Sequence, residues 1–391
     1  MLNPSSPQRS PEPPEAHTPL DASALRVAIV SDAAPERNGV GAYYRDLAEH
    51  LRDLGGQVGV ISPRFHAGRW HGGLALPLPG DPTQKFLLPS PALVARRFNR
   101  LRPDAVIVPT PGPFGMIGMY LAKRRRARLV VGFHTHFERL AAMNQHGRIF
   151  GGLAQAYLNA CNRKLFHEAD LVLANSGEMV EIANGIGARS IGLMGTSIPR
   201  RFLDEPTLPL GRRIRRVLFA GRLAPEKNLG ALVEAADALS DMHFLVAGEG
   251  PLRQWLEEEA ARRPNLEYIG WIKRAQILPL IDGVDALVLP STVESFGTIA
   301  LEAMARARLV VVSSQCGILS WNLLERGLFQ MHDNETLATA LRRVRELDPA
   351  ILERKAGIAR EAAREINERN LRHWIGVLGR GDTRGLDDPP G

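Results

Sequence analysis

A chain of 391 residues, 45% hydrophobic and 23% charged, exceeds what one core usually serves and reads as two soluble globular domains, which excludes wholesale disorder and a membrane-spanning class. Its formal charge of +7 admits an anionic partner without choosing one, while aromatics at 6% give poor support to a base-stacking surface, so no nucleic-acid partner is expected. Cys161 and Cys316 are the only cysteines, with no CxxC pair, which fits a reducing, cytoplasmic setting and indicates no thiolate metal site.

Residues 1–23 read as a disordered Pro/Ser-rich leader without the apolar core of a signal peptide. From 24 to 205 short β-branched runs alternate with helical stretches: "LRVAIVSD", "QVGVISP", "DAVIVPTP", "RLVVGFHT", "DLVLANS" and "SIGLMG". Near-continuous apolar strands of this kind predict a parallel sheet covered on both faces. The series restarts after the Pro- and Arg-rich "DEPTLPLGRRIRR" with "RRVLFAGR", "MHFLVAGEG", "NLEYIG", "DALVLPS" and "LVVVSS", which defines a second domain over 206–349. Residues 350–380 have the composition of C-terminal helices packing on one domain or bridging both. The class is α/β, two tandem Rossmann-like doubly wound domains whose strand carboxyl ends face a central cleft.

The first domain also holds two basic clusters. "PALVARRFNRLRP" sets Val94, Phe98 and Leu101 at helical spacing with Arg96, Arg97 and Arg100 between them, and "KRRRAR" follows at Lys123–Arg128. Such faces suit peripheral contact with an anionic membrane, although the apolar stripe is equally what a sheet-covering helix needs.

Chemistry concentrates in the second domain. "FAGRLAPEKNLGALVEA" turns from a strand at Gly221 into Arg222 and Lys227 before a helix starting near Asn228, so a planar fork and a point charge reach the sheet end. In "PSTVESFGTIALEAMARA" a helix is expected from about Gly297, with Glu294 in the loop before it and Glu302 more than a turn inside. The free N–H groups at Gly297 and Thr298 suit an anionic oxygen, and a carboxylate beside them suits sugar or ribose hydroxyls. A blander reading leaves Glu294 as a solvated loop acid and pairs Glu302 with Arg306 four residues on. Neither a Walker loop nor a GxGxxG fingerprint is present, and neither Asp-x-Asp at a strand end nor a His/Cys cluster suggests a metal.

"GRLAPEKNL" and "PSTVESFGTIALEAMA", with Glu294 and Glu302 in E-x7-E spacing, resemble the retaining glycosyltransferases of family four, which use nucleotide-diphosphate sugars and have the GT-B fold. The resemblance runs from about Leu25 to Trp374 through "NGVGAYYRDLAEHL" and "TPGPFG…FHTHF", the latter nearest to lipid-glycosylating branches. It implies that Arg222 and Lys227 hold the donor diphosphate and Glu302 the ribose. Glu294, with the backbone of Phe296, Gly297 and Thr298, would take the transferred sugar and distal phosphate. Gly39 and Gly41 would admit the sugar and acceptor, and His134, with His136 two residues on, would reach the sugar from across the cleft. It further implies a hexosyl transfer without cofactor or obligatory metal, to a glycan, lipid or small-molecule acceptor, with the inner face of the membrane as one setting for it. The chain departs from the family pattern over Gln315–Asp333, with Trp321 and no double glycine, and in "MGTSIPRRF". A nucleotide-sugar epimerase or hydrolase, or a noncatalytic nucleotide-sugar-binding protein, is compatible with the same motifs.

Overall fold

In the computed structural model of the protein, residues 20–36, 39–67, 69–78, 81–134, 150–175, 177–211, 213–294 and 296–379 are described. The first half yields β1 (Arg26–Val30), β2 (Gln57–Ile61), two short hairpins, β3 (Arg64–His66) with β4 (Arg69–His71) and β5 (Gly73–Leu78) with β6 (Asp81–Pro89), then β7 (Ala105–Val108), β8 (Arg128–Phe133), β9 (Leu171–Ala174) and β10 (Ile191–Leu193). The second half yields β11 (Arg216–Ala220), β12 (His243–Ala247), β13 (Leu266–Gly270), β14 (Ala286–Leu289), β15 (Leu309–Val312) and the two-residue β16 (Phe329–Gln330). All eleven apolar runs picked out in the sequence are strands of the two main sheets. The hairpins and β16 are additions.

Both six-stranded sheets are parallel, ordered β10-β9-β8-β7-β1-β2 and β13-β12-β11-β14-β15-β16. Every residue of β7, β9, β14 and β15 is buried, as strands covered by helices on both faces must be. Strand order reverses between β1 and β7 in the first sheet and between β11 and β14 in the second. These are the topological switch points, where the loops leaving adjacent strands diverge and open a crevice.

Two expected boundaries need correction. Ala22, assigned to the leader, is 1% exposed and donates its N–H to the Leu54 carbonyl, so packing begins before the first strand. Ile198, Phe202 and Leu203, assigned to the first domain, pack into the second core. The tail is one helix of 30 residues, Pro349–Leu378, capped by Asp348 accepting from the Ala350 N–H at 2.8 Å. Its first half, from Leu352 to Ile366, enters the second core, and Leu371, Trp374, Val377 and Leu378 enter a core beneath the first sheet. At the crossing the side chains turn polar: Asn367 accepts from the Ile198 N–H and Asn370 donates to the Ser197 hydroxyl.

Two arginines fasten the interdomain segment. Arg306, fully buried, grips the Asp282 carboxylate with two 2.8 Å contacts and donates to the carbonyls of Phe202, Glu205 and Pro206. Arg308 donates to the carbonyls of Leu208 and Val284. Removing the guanidinium strands a carboxylate and several carbonyls away from water. Arg306→Met is therefore expected to lower stability by about 3–5 kcal/mol, with Arg306→Lys recovering part because the charge remains while the fork is lost. Urea unfolding of the three proteins measures this, and equal midpoints would show that the contacts carry no weight.

Candidate active site

The second switch point is assembled from three loops that hold one another. After β11 the chain passes Arg222, makes a single helical turn over Pro225–Lys227 and enters the helix Leu229–Ala238 through Asn228. After β14 it runs through Glu294 to the helix Thr298–Ala305. The Glu226 carbonyl accepts from the Thr292 N–H at 2.9 Å, and the Asn228 amide donates to the Pro290 carbonyl at 3.2 Å. After β15, the Ser313 hydroxyl donates to the Ser291 carbonyl at 2.6 Å and the Gly317 N–H to the Glu294 carbonyl at 2.9 Å. These four hydrogen bonds thus fix where the side chains above them stand.

Those side chains are charged and only partly covered. Lys227 Nζ donates to Glu294 Oε2 at 2.6 Å, with 16% and 17% of the two side chains exposed, and an Arg222 Nη lies 3.6 Å from the Glu226 carboxylate with 31% exposed. Gly297 adopts φ 88°, and a Cβ there would lie 2.9 Å from the Leu289 side chain and 3.3 Å from Cys316 Sγ, so both conformation and space demand glycine. Phe296 is buried edge-on against Trp321 at 6.4 Å between ring centroids. The departure at Trp321 therefore builds the wall behind this loop. Thr298, half-buried, opens the eight-residue helix whose first-turn N–H groups face the switch point.

Glu302 stands apart from Lys227 and Arg222. It is fully buried, with Oε1 2.5 Å from Arg274 Nη1, and Arg274 Nη2 lies 2.5 Å from Asp46 of the first domain. Burial pushes the Glu302 and Asp46 carboxyls above their ordinary range against the pull of Arg274. Burial alone would lower Arg274, but the two acids reverse this and hold it above its ordinary value. The surface pair of Glu302 with Arg306 does not form, since Arg306 is committed to Asp282. Sequence reasoning missed Arg274 and Asp46, for which no local motif exists.

This bridge also orients the domains. Asp46 lies in the second turn of α1 (Gly39–Asp53), Arg274 begins the helix Arg274–Asp282, and Glu302 lies in the second turn of its helix. Each helix starts at the carboxyl edge of its sheet, so their meeting turns the two edges toward each other.

The first switch point is built differently. Asp32, just beyond β1, exchanges hydrogen bonds with Thr110, and its carboxylate accepts the N–H groups of Phe114 and Gly115 at 2.8 and 3.1 Å, the first turn of α3 (Pro113–Arg125). Burial raises this carboxyl to about 6, opposed by those hydrogen bonds. The helix terminus that could have received a phosphate is already occupied. Gly41 lies so close to the chain that a Cβ would sit 2.7 Å from the Ala33 carbonyl, whereas Gly39 faces open space. At the end of β8, His134 Nε2 shares a 2.9 Å hydrogen bond with the Tyr44 hydroxyl, and burial pushes its imidazole down to about 3. His136 lies outside the described residues.

Two family models match: "Glycosyltransferase Family 4" over residues 37–190 and "Glycosyl transferases group 1" over residues 214–346. The glycogen synthase of Mycobacterium tuberculosis is 30% identical over 56% of this chain, and the match spans 55% of that enzyme, about half its length. A GDP-mannose-dependent alpha-mannosyltransferase of Mycolicibacterium smegmatis is 29% identical over 75% of this chain and 80% of its own. The crystal structure of Anabaena HepE in complex with UDP and glucose superimposes with a TM-score of 0.61 at 18% identity, covering 88% of this chain and 98% of that one. The architecture is therefore GT-B, that of two-domain glycosyltransferases. Within that class the chain belongs to the family-four type.

The His134 value carries a sign. Its folded pKa lies below the unfolded value near 6.5, so its contribution to stability is present above pH 6.5 and is lost as pH falls toward about 3. His134→Leu should accordingly lose less melting temperature than the wild type between pH 7 and pH 5. Parallel losses in a thermal-melt series would show that the imidazole ionises freely in the folded protein.

Proposed function

We propose that the protein is a retaining hexosyltransferase whose nucleotide-diphosphate sugar donor binds at the second switch point. The observation that carries this reading is the contrast between the two crevices: one has its helix terminus filled by Asp32, and the other gathers Lys227, Arg222 and the open terminus at Gly297. In this reading Lys227 and Arg222 take the diphosphate oxygens. Glu294 receives hydroxyls of the transferred sugar, while the backbone of Phe296, Gly297 and Thr298 meets the distal phosphate. Breaking the anomeric C–O bond builds negative charge on the leaving diphosphate, which fixed cations and N–H dipoles stabilise without reorganising. The acceptor oxygen bonds to the anomeric carbon on the same face, and its proton passes to the departing phosphate oxygen. Glu302 receives the ribose hydroxyls once Arg274 moves off its Oε1, and His134, neutral, acts as a hydrogen-bonding group rather than a charge. Gly41 keeps the first-domain loop close to the sugar.

The acceptor in this reading is a lipid or lipid-linked glycan presented at an anionic membrane surface. In α2 (Pro91–Leu101) the apolar stripe, Val94 and Phe98, is spent on the core, leaving Arg96, Arg97 and Arg100 exposed. Arg125 of the second basic cluster donates to Asn99 of α2 at 3.1 Å, so the two clusters form one face. No described helix is long and apolar enough to cross a membrane. Neutralising Arg124, Arg125 and Arg126 should weaken cosedimentation with anionic vesicles, and binding that ignores both vesicle charge and salt would remove the membrane from the proposal.

Arg222→Ala and Lys227→Ala should each lose at least about a hundredfold in kcat/KM, the scale of a lost transition-state charge contact. Turnover is expected to persist in excess chelator. Release of nucleotide at the same rate with and without acceptor would instead mark a hydrolase, and near-wild-type turnover in both variants would move the donor site elsewhere.

A further inference from the structure

A cavity of 710 Å³ lies on the outer side of β2, the edge strand of the first sheet, away from the second domain's charged loops. Its walls bring together Arg45 and Arg52 from α1, Arg64, His66 and His71 from the β3–β4 hairpin, and Arg97 from α2. The acids among the lining residues are Glu36 and Glu49. Glu36 accepts the Phe65 N–H, and Glu49 lies 3.9 Å from Arg45, at the edge of ion-pair distance. Among the described residues no carboxylate pairs with Arg64 or Arg97.

The hairpin itself is costly as built. Its register sets Arg64 opposite His71 and His66 opposite Arg69, so four basic side chains share one face with no acid between them, while Phe65 and Trp70 meet edge-on at 5.2 Å on the other. Arg64 and Arg69 stand on that one face without an acid to offset their repulsion, and a two-stranded ribbon has little stability of its own to spare. An anion in the cavity relieves both problems. Arg52 is already oriented, its Nε donating to the Val58 carbonyl at 2.9 Å. Arginine forks arriving from two helices and a hairpin suit a tetrahedral phosphate better than a planar carboxylate, which two forks would saturate. The volume fits a phosphorylated sugar or a lipid headgroup.

Pro35 and Glu36 at the rim belong to the segment leading from β1 to Gly39, so the cavity shares a loop with the first-domain side of the active site. We propose that this cavity anchors a phosphate group of the acceptor. This inference rests on the transferase reading above and specifies the acceptor's chemistry.

The test uses the full chain and two probes: glycerol 1-phosphate, followed by calorimetry, and phosphatidylcholine vesicles containing phosphatidic acid, followed by cosedimentation. At least one probe should bind, and the Arg45→Gln, Arg64→Gln double variant should weaken it about tenfold or more while leaving the affinity for uridine or guanosine diphosphate unchanged. Lys227→Ala should do the reverse. Binding of the soluble ester identifies a free phosphate as the source, and binding of the vesicles alone identifies a lipid headgroup. If the double variant does not fold, Arg45→Gln alone serves, since it leaves the hairpin intact. Failure of both probes, or binding that survives the variants, overturns the proposal. Failure of the wild-type chain to bind either nucleoside diphosphate, with its phosphate binding intact, would instead count against the transferase reading.

Discussion

One guanidinium decides how the two halves of this molecule face each other. Arg274 lies between Asp46 of the first domain and Glu302 of the second, and both acids are buried deeply enough that neither could remain charged alone at low cost. Buried triads of this kind add little net stability relative to apolar packing, but they are unforgiving about geometry. Here the geometry is the angle at which two carboxyl edges meet. The long C-terminal helix makes the same connection in apolar terms, with one half in each domain's core. A polar pin and an apolar strut therefore constrain the same angle from different chemistry. Because Glu302 belongs both to the pin and to the E-x7-E motif, domain geometry and the proposed ribose contact draw on a single carboxylate.

The two switch points share a topology and differ in electrostatics. In the first sheet, a buried aspartate consumes the N–H groups of the following helix and ties β1 to β7. In the second, the equivalent helix keeps its terminus, and cations stand over it. Topology alone would offer a phosphate two crevices. Occupancy by Asp32 closes one of them, so the difference between the two crevices follows from a few side chains rather than from the fold.

Much of this was readable from residue order. Strands buried on both faces must be continuously apolar, so all eleven runs stood out, and Arg222, Lys227, Glu294 and Gly297 sit on the two loops that their flanking strands and helices announce. The β3–β4 hairpin did not stand out because "RFHAGRWH" sets basic residues beside aromatics and has only Phe65 and Trp70 for an apolar face. Arg274 was invisible for another reason: its partner Asp46 is 228 residues away, and nothing local marks a residue whose role is defined at that distance. The fate of the final helix was likewise undetermined. Helical period shows that an apolar stripe exists, not which core receives it, and the change at Asn367 and Asn370 has meaning only beside the chain segment they bond.

The net charge of +7 is equally uninformative until it is divided by environment. Arg306 and Arg308 spend their charge on an acid and on carbonyls of the interdomain segment, and Arg263 on Asp237 and Glu259. Lys227 and Arg222, at the second switch point, are partly buried and already beside acids. In the proposed reading an incoming diphosphate has to exchange with those acids, which would make recognition short-ranged and selective. On the outer face of the first domain, Arg64, Arg96, Arg97 and Arg100 have no acid partner among the described residues, so their attraction acts at a distance and is screened within about 10 Å at 0.1 M salt. On the proposed readings, anions would be met in two physical regimes, one by partner exchange in a crevice and one by an open field.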